Sequence, residues 1–301
     1  MESVYIEITD ACNLQCGFCP CGTRNRGESA SQIPRTFMPT ELFEKCIAGA
    51  QEIGAKNVFF HVLGEPTLHP GFAHYLKKLE QTPLKLTLTT NGTTISRTGR
   101  HILNCHAVRQ VNFSTHAYAE LDHDTAENHL RDVLDFCRMA LATRPDMYIN
   151  LRLWNIGDAT AGDWNRYILD RIRDTFGVDV QPGNFCSRHK SFPVTGRLYI
   201  HEDSRFEWPG TNKAREQNGA GKYPAGTCHA LETHAAILHN GRVVACCLDH
   251  SGQITLGSIT DQGLAEILGS SAARNIREGF EKHELRHPFC QKCSYCKRFG
   301  K

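Results

Sequence analysis

Cys12, Cys16 and Cys19 fall within eight residues, Cys-Asn-Leu-Gln-Cys-Gly-Phe-Cys. Three thiolates this close can hold three irons of a 4Fe–4S cluster and leave the fourth iron open to a substrate or cofactor. Cys21 follows two residues on, off the usual spacing for a fourth ligand. A structural zinc knuckle is the alternative, although zinc prefers four closed ligands and no histidine lies near the triplet. A second group closes the chain: Cys228, Cys246 and the run Cys290-Gln-Lys-Cys293-Ser-Tyr-Cys296. A hairpin cysteine plus a distant C-x-x-C makes a reasonable four-thiolate site, for a cluster or for zinc. Strand alternation over Val243–Cys247 turns Cys246 and Cys247 to opposite faces, so one of them serves as ligand.

These groups need elements to hold them. Val4–Thr9 reads as a strand that feeds the first cysteine loop. Thr40–Ile53 has helical spacing with Thr40 as N-cap. Val58–Leu63, Leu84–Thr89, Val108–Phe113 and Met147–Trp154 read as further strands, and Val178–Val180 as the start of a sixth. Phe72–Leu79, Arg97–Leu103, Asn128–Ala142 and Trp164–Phe176 read as the intervening helices. Repeated strand–helix alternation argues for an α/β fold with a parallel sheet, and an open barrel and a doubly wound sheet both satisfy it. The pattern changes after residue 182. Residues 183–227 read as a linker or bridging region, and 228–301 as a small cysteine-rich domain. Asn240-Gly241 between apolar runs is a hairpin signal, and Leu264–Glu278 reads as a helix.

Composition sets the class. The chain has 301 residues, 40% hydrophobic and 22% charged, with a formal net charge of +2. That suits a globular protein with a sizeable core, and no dense basic block calls for nucleic acid. The opening residues lack a signal-peptide pattern, and no apolar stretch approaches the ~20 residues of a membrane span. A cytoplasmic, non-membrane location is the expectation. In a reducing compartment, grouped cysteines among the 14 present read as metal ligands rather than disulfides. Cys46, Cys105 and Cys137, in helical patterns, read as packing residues. Cys186 and Cys247 are left open.

The motif C-x-x-x-C-x-aromatic-C after a first strand resembles the signature of the radical S-adenosylmethionine superfamily. The resemblance covers about residues 1–182. It implies a partial (β/α)6 TIM-like barrel with its site at the strand carboxyl ends. It also implies a 4Fe–4S cluster on Cys12, Cys16 and Cys19, whose open iron chelates S-adenosylmethionine and whose electron yields a 5′-deoxyadenosyl radical. By the same resemblance Phe18 meets the adenine. Leu63-Gly64-Glu65-Pro66 looks like the family's Gly-Gly-Glu motif, which meets the methionyl ammonium; here Leu63 replaces the first glycine. Asn91, in Thr-Asn-Gly, and Ser114 end the third and fourth strands at positions that contact the cofactor. Asn150 and Arg152 are polar positions in the fifth strand, and Arg131 stands where some members carry a carboxylate-binding arginine. The stretch from Cys228 to Cys246 resembles the opening of a SPASM/twitch extension. That resemblance implies an auxiliary 4Fe–4S cluster on Cys228, Cys246, Cys290 and Cys293, with Cys296 able to replace one of them.

The expected activity is hydrogen abstraction from a small polar substrate and a net oxidation assisted by the auxiliary cluster, with a flavodoxin or ferredoxin as reductant. A peptide maturase is the alternative enzyme, and a non-catalytic zinc protein the alternative of another class. His116, at a strand end, is a candidate substrate contact or proton carrier. Asp249, after the hairpin cysteines, is a candidate base.

Overall fold

The computed structural model describes residues 1–25, 36–158, 161–180, 190–205, 207–209 and 225–299. The chain forms two compact units: Met1–Gly71, Gln81–Lys85 and Phe206–Lys301 make the first, and Phe72–Glu80 and Leu86–Arg205 the second.

In the first unit, β1 (Ser3–Ile6) pairs in parallel with β2 (Asn57–Phe59) on one side and β8 (His234–Ile237) on the other. β9 (Arg242–Val244) and β10 (Thr255–Ser258) continue from β8 as antiparallel neighbours. The Asn240-Gly241 turn joins β8 to β9 as expected, with Gly241 at φ 87° and its N–H donating to Leu238 O at 2.8 Å. The strand that feeds the first cysteine loop is therefore a sheet neighbour of β8, the first strand of the hairpin that leads to Cys246. Helix α2 (Thr40–Glu52) buries Leu42, Phe43, Cys46, Ile47 and Ala50, a stripe with helical spacing. Pro39, not Thr40, is its N-cap residue, and no side chain caps it. The helix expected over Leu264–Glu278 is two helices, α7 (Leu264–Leu268) and α8 (Ser271–Glu281). The break falls at Ser270, whose hydroxyl accepts from Ala273 N and starts the second helix.

In the second unit, β3 (Lys85–Thr90), β4 (Val108–Phe113), β5 (Tyr148–Leu153) and β7 (Leu198–Glu202) run parallel in that order. β6 (Ser191–Thr195) pairs antiparallel with β7 at the edge. Helices α3 (Phe72–Glu80), α4 (Ile95–Leu103), α5 (His123–Thr143) and α6 (Gly162–Phe176) make the crossovers. Two expectations are corrected here. Val178–Val180 is not a strand; the next parallel strand after β5 is Leu198–Glu202, inside the segment read as a linker. Most of that segment's remainder, Cys186 included, lies outside the described residues.

The parallel strands of the second unit are two-faced. Phe113, Leu151 and Ile200 share one register row, and Phe113 packs on Phe136 of α5 with ring centroids 5.5 Å apart. Asn112, Asn150 and Tyr199 share the next row, on the opposite face. Parallel strands covered by helices on both faces are apolar throughout. Polar alternation here means that one face lines a polar interior, as in a barrel. Among the described residues no helix is long and apolar enough to cross a membrane.

Arg144, at the end of α5, is a buried clamp. Its guanidinium donates to Leu103 O and Cys105 O at 3.0 Å and to Val108 O at 3.1 Å, and its Nε to Asp146 Oδ1 at 3.0 Å. Arg144→Met would leave three carbonyls of the α4–β4 connection without this donor. We expect a loss of about 3 kcal/mol in urea unfolding; a loss below ~1 kcal/mol would show that the clamp contributes little.

Candidate functional site: two thiol groups and a polar strand row

The first cysteine loop is shaped by backbone contacts. Cys12, Cys16 and Cys19 are all half-buried, and Cys19 N donates to Cys16 O at 3.1 Å. Helix α1 (Pro20–Asn25) starts directly after the third cysteine and lies against the loop. A Cβ on Gly22 would sit 2.3 Å from Cys16 O, so only glycine permits this approach. The Gly-Glu-Pro segment rests on the same loop. Glu65 N donates to Ala11 O at 2.7 Å, and Gly64 has φ +75° with Thr9 O 2.3 Å from where a Cβ would stand. The Glu65 carboxylate is buried and accepts from Thr67 N at 3.1 Å and Thr67 Oγ1 at 2.6 Å. Cys21 is no remote neighbour: its hydrogen bond to Cys12 is the largest of the causes, burial and the charges of Cys21 and Glu65 following, that hold the Cys12 thiol well above its ordinary range.

Glu7, which the sequence reading passed over, closes this unit. It is buried one residue past β1. Its carboxylate accepts from Leu63 N at 3.0 Å, from His239 N at 3.2 Å and from His239 Nδ1 at 2.7 Å. Leu63, the departure from the family pattern, thus keeps its N–H satisfied by a side chain. A buried glutamate just after a short strand was the available signal, because such a group requires partners.

In the second unit the polar face carries a connected row. Asn150 Nδ2 and Gln110 Nε2 both donate to Asn112 Oδ1 at 2.8 Å, and Asn112 Nδ2 donates to Thr89 Oγ1 at 3.3 Å. One step further along the strands, Arg152 lies in register with His201 of β7. The Arg152 guanidinium stacks 4.2 Å from the centroid of Trp154, and Trp154 Nε1 donates to His201 Nδ1 at 2.7 Å. Ser114 follows β4 half-buried, with its N–H on Thr90 O at 2.9 Å. The Asn91 side chain turns inward on its own loop, accepting from Thr93 N at 3.0 Å and Thr93 Oγ1 at 2.8 Å.

Three further candidate residues have these surroundings. His116 is buried; its Nδ1 donates to Arg152 O at 3.1 Å beside Thr115 Oγ1, which donates to the same carbonyl at 2.9 Å. Burial pushes the imidazole down to about 4, which favours the neutral ring. Asp249 is fully buried, and its two oxygens accept from Gln253 N at 2.8 Å and Ile254 N at 2.6 Å. These two amides fasten the loop after the hairpin. Arg131 is exposed, donates to Asn128 Oδ1 at 2.6 Å, and lines a surface groove with Glu127, Arg138 and Arg171 of α5 and α6. His69 is likewise structural, with Nε2 on Met38 O at 3.0 Å and Nδ1 accepting from Gly71 N at 2.9 Å.

The second thiol group gathers from three segments. His287 accepts from Phe289 N at 3.2 Å and starts the short helix α9 (Pro288–Gln291), which presents Cys290. Cys293 N donates to Cys290 O at 3.1 Å, and Cys296 Sγ to Cys293 O at 3.0 Å. Burial raises all of Cys228, Cys246, Cys290 and Cys293, the last to about 12. Neighbouring thiols add to it: Cys247, Cys290 and Cys228 at Cys246, and Cys228, Cys293 and Cys296 at Cys290. These four thiols, with Cys296 beside them, sit where burial and neighbouring thiols disfavour the thiolate, a cost that a metal cluster offsets. Yet among the described residues no three such ligands close around one point as a single ion requires. Five cysteines exceed the four ligands that a structural zinc ion takes, and four of them suffice for a 4Fe–4S cluster. Cys247 instead faces the apolar cluster of Val62, Ala236, Leu238 and Val244. Cys246→Ala should therefore lose the metal bound here while Cys247→Ala keeps it, as read by iron and zinc content. Equal loss from both variants would contradict the opposed-face assignment.

Comparison with known proteins agrees with this chemistry. Residues 6–154 match the radical SAM superfamily, and residues 228–297 match SPASM, an iron–sulfur cluster-binding domain. A tungsten-containing aldehyde ferredoxin oxidoreductase cofactor-modifying protein of Pyrococcus furiosus is 31% identical over 97 residues, 32% of this chain and 25% of that protein. A probable GTP 3′,8-cyclase of Pyrococcus horikoshii is 33% identical over 95 residues, 32% of this chain and 28% of that protein. The matches thus span about a quarter of the length of these relatives. Among solved structures, BtrN in complex with AdoMet and 2-DOIA aligns over 98% of this chain and 93% of its own (TM-score 0.53, 13% identity). AdoMet-bound anSMEcpe aligns over 99% and 89% (0.58, 14%), and Streptococcus suis SuiB bound to S-adenosylmethionine over 98% and 71% (0.58, 16%). These likenesses establish the fold, an α/β TIM-like barrel domain with a cysteine-rich carboxy-terminal domain. The chain belongs to the radical SAM superfamily and carries a SPASM domain, so its cofactors are a 4Fe–4S cluster with S-adenosylmethionine and auxiliary iron–sulfur clusters.

Proposed function

We propose that the protein abstracts a hydrogen atom from a small polar substrate and oxidises it by two electrons. The observation that carries this reading is the connected row of Thr89, Asn112, Asn150, Arg152 and His201 across one face of the second unit. Such a density of fixed donors and acceptors suits a compact ligand with many polar groups.

The clusters and S-adenosylmethionine would supply a 5′-deoxyadenosyl radical and a one-electron acceptor. Cys12, Cys16 and Cys19 would hold the first cluster, and four of Cys228, Cys246, Cys290, Cys293 and Cys296 the auxiliary one. In the first unit, Phe18 is assigned to the adenine and the Gly64-Glu65-Pro66 loop to the methionyl ammonium, where a buried carboxylate offsets the desolvated charge. In the second unit, Asn91, Ser114, Asn150 and Arg152 are assigned to polar groups of cofactor and substrate. Of these, Asn91 acts through its loop, because its own side chain fastens Thr93. Pro66 opens the short turn Pro66–Leu68 and fixes the exit of the loop.

The test is 5′-deoxyadenosine formation by anaerobically reconstituted protein with a strong reductant. Cys16→Ala should abolish it. The wild type should be stimulated by the metabolite fraction of a cell extract that passes a peptide-retaining filter. Stimulation by the retained peptide fraction alone would overturn the small-substrate reading in favour of a peptide maturase, the kind of ligand bound in the peptide complexes of anSMEcpe and SuiB.

A further inference from the structure

We propose that Arg152, Trp154 and His201 form an oxyanion-binding subsite for a carboxylate or phosphate group of the substrate. This deepens the functional reading above and rests on it for the identity of the ligand as substrate.

The geometry fixes the chemistry of each partner. An indole N–H only donates, so the 2.7 Å contact from Trp154 Nε1 makes His201 Nδ1 an acceptor. The neutral ring then carries its one proton on Nε2, which is left as a donor. Burial, then the positive charge of Arg152, holds His201 down to about 4, so it is a neutral donor at physiological pH. Two other charges face it: Asp203 opposes the shift and Lys190 assists it, and these two pair with each other at 2.6 Å. The same Trp154 that fixes the imidazole also carries the guanidinium on its ring. One indole thus sets the direction of both groups.

Arg152 is held from its backbone as well. Its carbonyl takes the hydrogen bonds of Thr115 and His116, and Thr115 O in turn accepts from Trp164 Nε1 at 3.1 Å. In the strand register Arg152 and His201 are direct partners, so their side chains leave the sheet next to each other, about 5 Å apart. Arg152, Trp154 and His201 are all half-buried: partly desolvated, yet reachable. A planar cation beside a fixed neutral N–H donor, with its rotamer set in advance, is matched to an oxyanion. Two cations would hold an anion more tightly but with less direction; a cation and a neutral donor read its shape.

The binding of two probes to the reconstituted holoprotein tests this, followed by the 19F linewidth of trifluoroacetate and the 31P linewidth of methyl phosphate. At least one probe should broaden saturably. His201→Phe and Arg152→Met should each weaken it about tenfold or more, and His201→Gln, which keeps an N–H donor, should recover part of the loss. Iron content and circular dichroism confirm that the variants fold. The probe that binds more tightly names the substrate's anionic group as carboxylate or phosphate. Equal binding by wild type and both variants would overturn the subsite. So would complete displacement by saturating S-adenosylmethionine, since the anion read would then be the cofactor's own carboxylate. Because the readout is binding, it stands apart from radical activity: loss of 5′-deoxyadenosine formation with retained probe binding removes the functional reading and leaves the subsite, and the converse removes the subsite alone.

Discussion

A single buried carboxylate ties together the parts of the first unit that matter for chemistry. Glu7 follows β1, and its oxygens take the backbone N–H of Leu63, the backbone N–H of His239 and the His239 imidazole. Those partners belong to the Gly-Glu-Pro segment and to the hairpin that leads to Cys246. The cysteine loop begins five residues after Glu7. A carboxylate out of water must be fully hydrogen-bonded, so these three segments cannot drift apart without stranding it. β1 reinforces the tie by pairing in parallel with both β2 and β8. The result is that the first thiol loop and the hairpin of the second thiol group share one sheet and one anchor.

Electrostatics then explains why the thiols need metal. Burial and mutual repulsion hold the auxiliary cysteines protonated, and Cys12 is raised by Cys21, burial and Glu65. The fold without metal therefore favours neutral thiols. Each raised thiol contributes stability below its unfolded value, and that contribution fades as pH rises through the folded value. Iron reverses the balance, because its positive charge stabilises the thiolates that the protein interior alone disfavours. In the second unit two histidines, one buried and one half-buried, behave in the opposite sense. His116 and His201 are each held down to about 4, first by burial, and remain neutral donors. Their charge is excluded, so their hydrogen bonds have a fixed direction.

Much of this was legible in the sequence, for reasons that can be stated. The cysteine spacing, the motifs at successive strand ends and the Asn-Gly hairpin are local patterns, and local patterns survive without knowledge of the fold. Strand β7 was missed although Leu-Tyr-Ile-His-Glu alternates cleanly, because glycine, proline and serine around it read as a linker. With it went His201, since a residue on an unrecognised strand has no partners to suggest. The helix break at Ser270 was a serine cap inside a continuous apolar stripe. His116, Asp249 and Arg131 have surroundings that the sequence could not show, for one common reason. Each lies near a motif, and tertiary packing decides what its polar atoms meet: a carbonyl, two turn amides, and a neighbouring helix.

The most direct measurement is iron and sulfide content after anaerobic reconstitution, comparing wild type with the Cys12→Ala, Cys16→Ala, Cys19→Ala triple variant, with electron paramagnetic resonance of the reduced proteins. With one auxiliary cluster, the wild type should hold ~8 irons per chain, and the variant ~4. Only the wild type's spectrum should change when S-adenosylmethionine is added. Unchanged iron in the variant, or a spectrum that responds to S-adenosylmethionine without those three cysteines, would contradict the assignment of the first thiol group.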